Sequence, residues 1–200
     1  MKRPRTATRT VLETERLQLR EMDLSDMRAL SRMLCDDRVM YAYEGAFDER
    51  QVAAWMQKQL RRYEESGFGL WAVVGKEIRE VIGQCGITMQ EYGERTVPEI
   101  GYLFAYEHWH RGYATEAAAA CREYGFRALR FDVLYSIIRD TNLPSQRVAL
   151  RCGMLPVDTI VKHYRGVDMP HIVFRTRSRD EETPASGSLS LPDPADRPAR

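Results

Sequence analysis

Apolar positions recur with two different periods along this chain, and the two periods predict the order of its strands and helices. Apolar residues that alternate with polar ones predict strands, because successive side chains of a strand point to opposite faces. Segments of this kind lie at 16–22, 69–75, 80–92, 97–109, 133–140, 156–166 and 170–176. Apolar residues that recur every three or four positions predict helices. These segments lie at 23–37, 48–65, 113–129 and 145–153.

The order of these segments indicates the fold class, α/β (α+β), with a mixed, mostly antiparallel sheet of about seven strands and about four helices. We expect a single domain at residues 13–176, because 200 residues suffice for one well-buried core and are few for two. Residues 177–200 hold four of the nine prolines and few large apolar side chains, so we expect a disordered C-terminal tail. The basic N-terminal segment, residues 1–12, is expected to be disordered as well.

Charge and cysteine spacing narrow the classes of function. Thirty basic and 29 acidic residues give a net charge of +1, so the overall balance does not demand nucleic acid or an anionic membrane as a partner. No apolar run approaches the ~20 residues of a membrane helix, and residues 1–10 do not form a secretion signal, so we expect a cytoplasmic protein. Buried free thiols are expected rather than disulfides or a metal site, because no C-x-x-C spacing occurs among Cys35, Cys85, Cys121 and Cys152.

The stretch HWHRGYATEAAAACREYGF, residues 108–126, places a glycine where a strand gives way to a helix. The first turn of a helix leaves about four amides unpaired and carries about half a positive charge, so it attracts anions. Gly112 lets a phosphate approach the backbone, Arg111 adds positive charge, and Thr115 can cap the helix. The residues favour a diphosphate site. The alternative is that Gly112 only makes a turn and the alanines only pack.

Two motifs carry a resemblance to a known family. PEIGYLFAYEHWHRGYATEA (98–117) is followed by DTNLPSQRVALRCGM (140–154). Together they resemble the GNAT superfamily of acetyl-CoA-dependent N-acetyltransferases, and most of all its RimJ/RimL-like branch. The resemblance covers about residues 13–176 and implies acetyl-CoA as co-substrate, with no metal. It also implies a GNAT-like sheet whose central strands, near 99–106 and 133–140, splay apart to admit the cofactor.

The resemblance also implies which residues bind coenzyme A. The diphosphate would be held by the loop amides of Arg111, Gly112, Tyr113, Ala114 and Thr115. The pantetheine arm would bond the backbone near Phe104 and Ala105, and Asn142 would bond the arm as well. The alternative for Asn142 is a loop residue that stabilises a turn before Pro144. The sequence departs from the family pattern at Trp109, where glutamine or arginine is usual, and at His110, where glycine is frequent in this branch.

Candidate catalytic residues follow from the chemistry of amine acetylation. An amine attacks a thioester only when it is unprotonated, so a group must accept a proton. The resemblance places Glu99 at the position of a general base, with a merely structural carboxylate as the alternative. His108 and His110 are rivals by their ordinary pKa. Ser145 is the candidate acid for the leaving thiolate, because Ala149 stands where many members have tyrosine; its alternative role is a helix N-cap.

The acceptor is expected to lie against two segments, 38–49 and the hairpin tip at 162–171. Tyr41, Tyr43 and Glu44 are the substrate-contacting candidates, since aromatic rings and a carboxylate can hold a cationic amine. A packed loop is the alternative for these residues. The implied function is transfer of acetyl from acetyl-CoA to a primary amine, a protein N-terminus or a small molecule, by direct attack in a ternary complex.

Readings from other classes stay open at this stage. One is a non-catalytic module that binds acyl-CoA and regulates a partner, which the alanine at position 149 favours. The other is a ribosome-associated or nucleic-acid-binding protein that uses the basic N-terminus. The sequence does not choose between a protein N-terminus and a small amine as acceptor. It leaves open a monomer or a homodimer.

Overall fold

A single eight-stranded sheet forms the frame of the protein, with the strands in the order β1-β2-β3-β4-β5-β6-β8-β7. The computed structural model describes residues 8–164 and 166–178. The strands are β1 (Thr10–Glu13), β2 (Leu17–Arg20), β3 (Leu70–Gly75), β4 (Glu80–Tyr92), β5 (Arg95–Phe104), β6 (Val133–Arg139), β7 (Leu155–Tyr164) and β8 (Val167–Arg177). The helices are α1 (Met27–Leu34), α2 (Asp37–Met40), α3 (Glu49–Glu65), α4 (Tyr113–Arg127) and α5 (Leu143–Arg151). The predicted mixed, mostly antiparallel α/β fold is thus confirmed, with one more strand and one more helix.

The two strands at the centre of the sheet part from each other. β4 and β5 pair continuously from Gly83–Phe104 to Tyr92–Arg95, whereas β5 and β6 run parallel and meet at one pair, Glu99–Tyr135. β6 pairs fully with β8 on its other side. A gap therefore opens between β5 and β6 beyond Ile100, as expected for splayed central strands.

Helix α4 packs closely on one face of the sheet because its inward residues are small. Ala117 and Cys121 are fully buried, and the Cys121 sulfur lies 3.5 Å from the sulfur of Cys85 on β4. A Cβ at Gly125 would lie only 2.8 Å from methyl groups of Ile87 and Leu134, so glycine is what permits this approach. The close packing fixes the position of the first turn of α4 relative to β5.

Helix α3 covers the opposite face of the sheet. Its buried residues include Val52 and Met56, and Trp55 donates a hydrogen bond from Nε1 to Oε1 of Gln84 on β4, at 3.0 Å. Asp48 caps the helix in a reciprocal bond with Gln51, which explains why the predicted start at 48 is nearly correct. Side chains of β4 therefore alternate between α4 and α3, and this alternation decides which residues line the site.

Several predicted element boundaries differ from the structure. Thr10–Glu13 form strand β1, so the expected disorder does not extend to residue 12. The sequence does not predict this strand because an irregular edge strand of four residues shows too few alternations of apolar and polar positions. α2 is also too short for a helical period. β5 ends at Phe104 instead of 109, because a 3-10 turn at Tyr106–His108 follows.

The remaining predictions on the tails and the cysteines divide in the same way. Residues 1–7 and 179–200 lie outside the described residues, and most of both predicted tails falls there. Cys85, Cys121 and Cys152 are buried free thiols as expected, whereas Cys35 is a free but exposed one.

Candidate active site

The N-terminus of α4 forms a tight loop with amides at its mouth. Gly112 stands at the N-cap position with φ +79°, and His110 also has a positive φ of +60°. The first helical hydrogen bond runs from the amide of Glu116 to the carbonyl of Gly112, at 3.0 Å. Thr115 does not cap the helix as predicted, because it is the third helical residue and no described side chain caps Gly112. The amides of residues 113–115 therefore precede the ladder at the positive end of the helix.

An ion pair from the turn between β1 and β2 clamps this loop. Glu116 accepts hydrogen bonds from the Arg16 side chain (2.7 Å at Nε) and from Thr14 Oγ1 (2.6 Å). Arg16 also donates from Nη1 to the carbonyl of Arg111 at 3.0 Å, and its guanidinium lies 4.7 Å from the ring centroid of Tyr113. The N-terminal edge of the sheet thereby holds the shape of the loop.

Glu116 carries a charge that the clamp stabilises. Burial alone would raise the pKa of Glu116, but the hydrogen bonds from Thr14 and from Arg16, backbone and side chain, outweigh burial and lower this pKa. A carboxylate in the first turn of a helix also suits the helix dipole.

Main-chain groups of β5 face the gap. Ser136 on β6 donates from Oγ to the carbonyl of Ile100 at 2.9 Å, so the main-chain groups of Ile100 point toward β6. Because main-chain N–H and C=O groups alternate in direction along a strand, those of Tyr102 and Phe104 also point toward β6. Trp109 donates its indole N–H to the Phe104 carbonyl at 2.8 Å, which leaves the Phe104 amide on the gap side.

Ala105 does not offer the backbone contact that the sequence predicts. Its amide donates to the carbonyl of Ile82 at 3.0 Å, and its carbonyl accepts from the amide of His108 at 2.9 Å. Both main-chain groups are thus bonded within the protein, since the chain turns away from the gap at this residue. Trp109, which departs from the family motif, ties the same turn to β5.

Glu99 bridges the two strands at the point where they part. Its Oε1 accepts a hydrogen bond from the amide of Ile137 at 2.9 Å, in place of a main-chain bond between the strands. Burial raises the pKa of Glu99, while Lys162, the Ile137 amide and Arg62 act in the opposite direction. The side chain is half-buried, so it combines a structural bond with an elevated proton affinity.

Asn142 and Ser145 meet at the start of α5. Asn142 is the N-cap, and its Oδ1 accepts from the Ser145 amide at 3.2 Å and from the Tyr41 hydroxyl at 2.8 Å. The alternative role of Ser145, a helix N-cap, is therefore wrong: the helix begins two residues earlier, at Leu143, with Pro144 in the first turn. Ser145 is half-buried and accepts from Tyr102 Oη at its carbonyl, at 2.7 Å.

The segment predicted to contact the acceptor lies next to Glu99. Burial first, and then the charges of Glu99 and Tyr164, raise the pKa of Tyr43 to about 12. Tyr43 as a whole residue is still 38% exposed, so part of it faces solvent. Tyr43 therefore lies near Glu99 and the hairpin residue Tyr164, whereas Tyr41 contacts Asn142.

Glu44, the third substrate-contacting candidate, is paired with a cation of the protein. It forms an ion pair with Arg139 at the end of β6, and that arginine also donates to the carbonyl of Tyr41. These contacts tie the loop that carries Tyr41 and Glu44 to β6.

Several residues of the site carry no signal in the sequence. The Arg16–Glu116 clamp joins residues far apart in the chain; Glu116 lies within the RGYATEA stretch, but nothing in the sequence indicates Arg16 as its partner. Tyr102 reads as an ordinary strand residue, and burial raises its pKa well above the usual range. The histidine rivals lie in the turn before α4; burial lowers the pKa of His108, whose ring lies 6.4 Å from that of Tyr113. That turn directly precedes the loop at Gly112.

Two further properties concern the described ranges 8–164 and 166–178. Within them, no cluster of three or more histidine, cysteine, aspartate or glutamate side chains is placed to hold a metal ion. None of the helices found there is both long and apolar enough to span a bilayer.

Comparison with known proteins decides the family. A sequence model of the family described as "Acetyltransferase (GNAT) domain" matches residues 16–155, which include the parted strands and the α4 loop. This chain belongs to the GNAT acetyltransferase family. GNAT proteins use acetyl-CoA, so membership in the family implies acetyl transfer with acetyl-CoA as the co-substrate.

Individual relatives of this GNAT protein agree with that membership. The protein YkkB of Bacillus subtilis is 41% identical over 155 residues, which are 77% of this chain and 90% of YkkB. An acetyltransferase structure from Agrobacterium tumefaciens is 28% identical with a TM-score of 0.72, covering 89% of this chain and 99% of that one. Mycobacterium smegmatis RimJ in complex with CoA-disulfide is 21% identical with a TM-score of 0.67, covering 83% of this chain and 84% of RimJ, and shows the shared fold.

The clamp at α4 predicts a pH-dependent contribution to stability. We expect Glu116→Gln to lower the free energy of unfolding at pH 7 by about 1–2 kcal/mol, because charge-assisted bonds are lost. Since the folded-state pKa of Glu116 is lowered, this contribution is present above the unfolded value of about 4.3 and is lost as pH falls through the folded pKa. Urea unfolding of both proteins between pH 3 and pH 7 measures it.

Glu123→Gln is the matched control on the same helix. Glu123 pairs with Arg122 and Arg127 but is 48% exposed, so we expect a change below about 0.5 kcal/mol at all pH values. Equal losses in the two variants, or a Glu116→Gln loss that does not depend on pH, would contradict the role of the clamp.

Proposed function

We propose that this GNAT protein is an N-acetyltransferase of the RimJ/RimL-like branch, which moves acetyl from acetyl-CoA to a primary amine. The observation that carries the proposal is the gap between β5 and β6, whose β5 edge leads to the amides of α4. The proposal treats the folded chain as a single acetyltransferase domain that begins at β1 and ends with β8.

The side of the site formed by β5 and the start of α4 offers groups suited to each part of coenzyme A. The loop amides from Arg111 to Thr115 would bind the diphosphate, since they are held at a helix N-terminus where anions are favoured. The Phe104 amide would bond the pantetheine arm as a pseudo-strand, and the side-chain amide of Asn142 would hold the arm from α5. Acetyl-CoA supplies an activated thioester, and the protein supplies orientation, which can account for much of the rate enhancement.

Glu99 is the base in this proposal. The attacking amine forms the C–N bond with the acetyl carbon, and the C–S bond of the thioester breaks. The proton that the amine loses passes to Glu99, either directly or through one water. Burial raises the pKa of Glu99, and a carboxylate with a raised pKa is a better proton acceptor than an ordinary one. Ser145 would give a proton to the departing thiolate and take one back from solvent, and Tyr102 would position Ser145 through its bond to the serine carbonyl.

The acceptor would enter from the α3 side of the sheet, past Tyr41 and Tyr43. Tyr41 is bonded to Asn142, so the acceptor loop and the proposed cofactor contact share a residue. This link would bring the two substrates together in a ternary complex. Glu44 supports the same loop through Arg139.

The proposed activity can be tested by following free thiol released from acetyl-CoA. We expect release that depends on added amine, with peptides of free N-terminus and small primary amines as the panel. Double-reciprocal plots should intersect, because both substrates are bound before the acetyl group moves. Parallel lines would contradict direct transfer, and coenzyme A binding without release for every amine would favour the non-catalytic module.

The diphosphate site predicts a specific sensitivity at Gly112. Gly112→Val places methyl groups in the loop at a φ of +79°, so we expect coenzyme A affinity to fall at least about tenfold, about 1.4 kcal/mol. Isothermal titration calorimetry measures it. Gly67→Val is the control, because Gly67 has a nearly equal φ of +77° with nothing within 4 Å of its Cβ position. Unchanged affinity in Gly112→Val would remove the loop from the site.

The role of Glu99 predicts a change in the pH profile. Glu99→Gln keeps an oxygen that accepts from Ile137, so we expect the fold to persist while turnover at pH 7 falls by about 10²–10⁴-fold. At pH 9 the loss should be smaller, because more of the amine is already unprotonated. The wild-type rate should fall in acid as Glu99 becomes protonated. This fall should occur at a pH above the ordinary glutamate pKa, because the pKa of Glu99 is raised.

Glu99→Ala separates the structural bond from the proton transfer. It removes the acceptor of the Ile137 amide, so its unfolding free energy should be lower than that of Glu99→Gln. An identical pH profile in wild type and Glu99→Gln would show that another group is the base.

A further inference from the structure

A groove of about 960 Å³ lies on the α3 side of the sheet, between the end of α3, the end of β4 and strand β7. Four cationic side chains line it, and two carboxylates stand among them: Lys58, Arg61, Arg62 and Lys162, with Glu65 and Glu91. The groove is thus positive although the chain as a whole is nearly neutral. A local excess of one sign of charge raises the concentration of oppositely charged ligands.

The cations of the groove are not neutralised by the protein. Within residues 8–164 and 166–178, Lys58, Arg61 and Lys162 have no carboxylate within ion-pair distance. Arg62 donates from Nη1 to Oε1 of Gln59, a neutral group, at 3.0 Å. Three of the four cations share one face of α3 at spacings of three and four residues, where like charges repel. Burial, followed by repulsion from Arg62 and Arg61, lowers the pKa of Lys58.

The groove leads to Glu99. Thr88 lines the groove and pairs directly with Glu99 across β4 and β5, so both side chains lie on the same face of the sheet. Cys85 on β4 contacts α4 on the opposite face, which leaves the even-numbered positions of β4 on the α3 side. The charges of Lys162 and Arg62, which both line the groove, act on Glu99. A ligand in the groove therefore lies next to the proposed base.

The loop expected to hold a cationic acceptor does not favour one. Glu44 is already paired with Arg139, and Glu99 faces two cations. Positive surroundings also lower the pKa of a nearby amine, which increases the unprotonated fraction that can attack. Both effects favour an acceptor whose reactive amine is accompanied by negative groups elsewhere in the molecule.

We propose that this groove binds the acceptor through carboxylates, so that the preferred substrate is an amine that carries several carboxylate groups. The inference rests on the proposed acetyltransferase function and adds the chemical class of the acceptor. An acidic peptide with a free N-terminus and a free acidic amino acid share this chemistry. The α-amine lies toward Glu99, and the carboxylates lie against Lys58 and Arg61.

Acetyl transfer to matched peptides tests the inference. We expect the peptide Ala-Asp-Glu-Asp to have a KM at least about tenfold lower than the amide analogue Ala-Asn-Gln-Asn at low ionic strength, with a difference that shrinks as salt is added. Free aspartate and glutamate are also measured as acceptors. If their KM is as low as that of Ala-Asp-Glu-Asp, the acceptor is a small molecule; if it is much higher, the acceptor is a peptide chain. Equal KM values for the acidic and amide peptides would overturn the proposal.

Charge removal in the groove connects the preference to its residues. The double variant Lys58→Ala/Arg61→Ala should raise KM for the acidic peptide about fivefold or more and leave KM for the amide peptide and for acetyl-CoA unchanged. Arg50→Ala is the control, because Arg50 is an exposed cation at the other end of α3 and does not line the groove. Equal effects of the double variant on both peptides would contradict carboxylate binding in the groove.

A binding measurement keeps this inference separate from the proposed function. Fluorescence anisotropy of labelled Ala-Asp-Glu-Asp reports binding whether or not acetyl transfer occurs. Binding that the double variant abolishes, without thiol release from acetyl-CoA, would reject the acetyltransferase proposal and retain the cationic, carboxylate-binding groove. Thiol release without any preference for the acidic peptide would do the reverse.

Discussion

The carboxylate of Glu99, bonded to the amide of Ile137, is the constraint on which the site depends. Two adjacent strands normally pair through main-chain hydrogen bonds along their whole length, because each unpaired main-chain group loses a hydrogen bond. Here a side chain takes the place of a main-chain partner at the point of parting, and Ser136 does the same for the carbonyl of Ile100. The strands can therefore separate beyond this point without leaving these two groups unpaired. The polar groups of β5 that face the gap become available to a ligand.

The two faces of the sheet divide the work around that gap. On one face, small residues let α4 approach closely, and Arg16 holds the first turn of that helix in place from the edge of the sheet. On the other face, α3 and the hairpin of β7 and β8 bring cations toward Glu99. A donor with a diphosphate and an acceptor with carboxylates would thus approach from different sides, and their negative charges would stay apart.

The sequence predicts the fold well and the site in part. Long alternating runs such as 80–92 give β4 correctly, because many positions obey one period, whereas β1 is too short to show any. Gly112 and Asn142 each stand in a local motif with a backbone reason, and the structure has them as the N-caps of α4 and α5. Thr115 as a cap is wrong, and the ion pair of Glu44 with Arg139 is not predicted, since these outcomes depend on neighbours that only the folded chain supplies. The basic groove is missed for the same reason: its cations come from α3 and β7, which are remote in sequence.

The loop before α4 has a consequence for how such a protein can change over evolutionary time. A loop that recognises its ligand through main-chain amides, as we propose for this one, leaves most of its side chains free to change; the side chain of Trp109 instead stabilises the turn through its bond to the Phe104 carbonyl. The curvature of the loop is set from a distance by Arg16 and Glu116. Selection on ligand recognition should therefore act more strongly on this remote pair than on the exposed side chain of Arg111, beside the amides themselves.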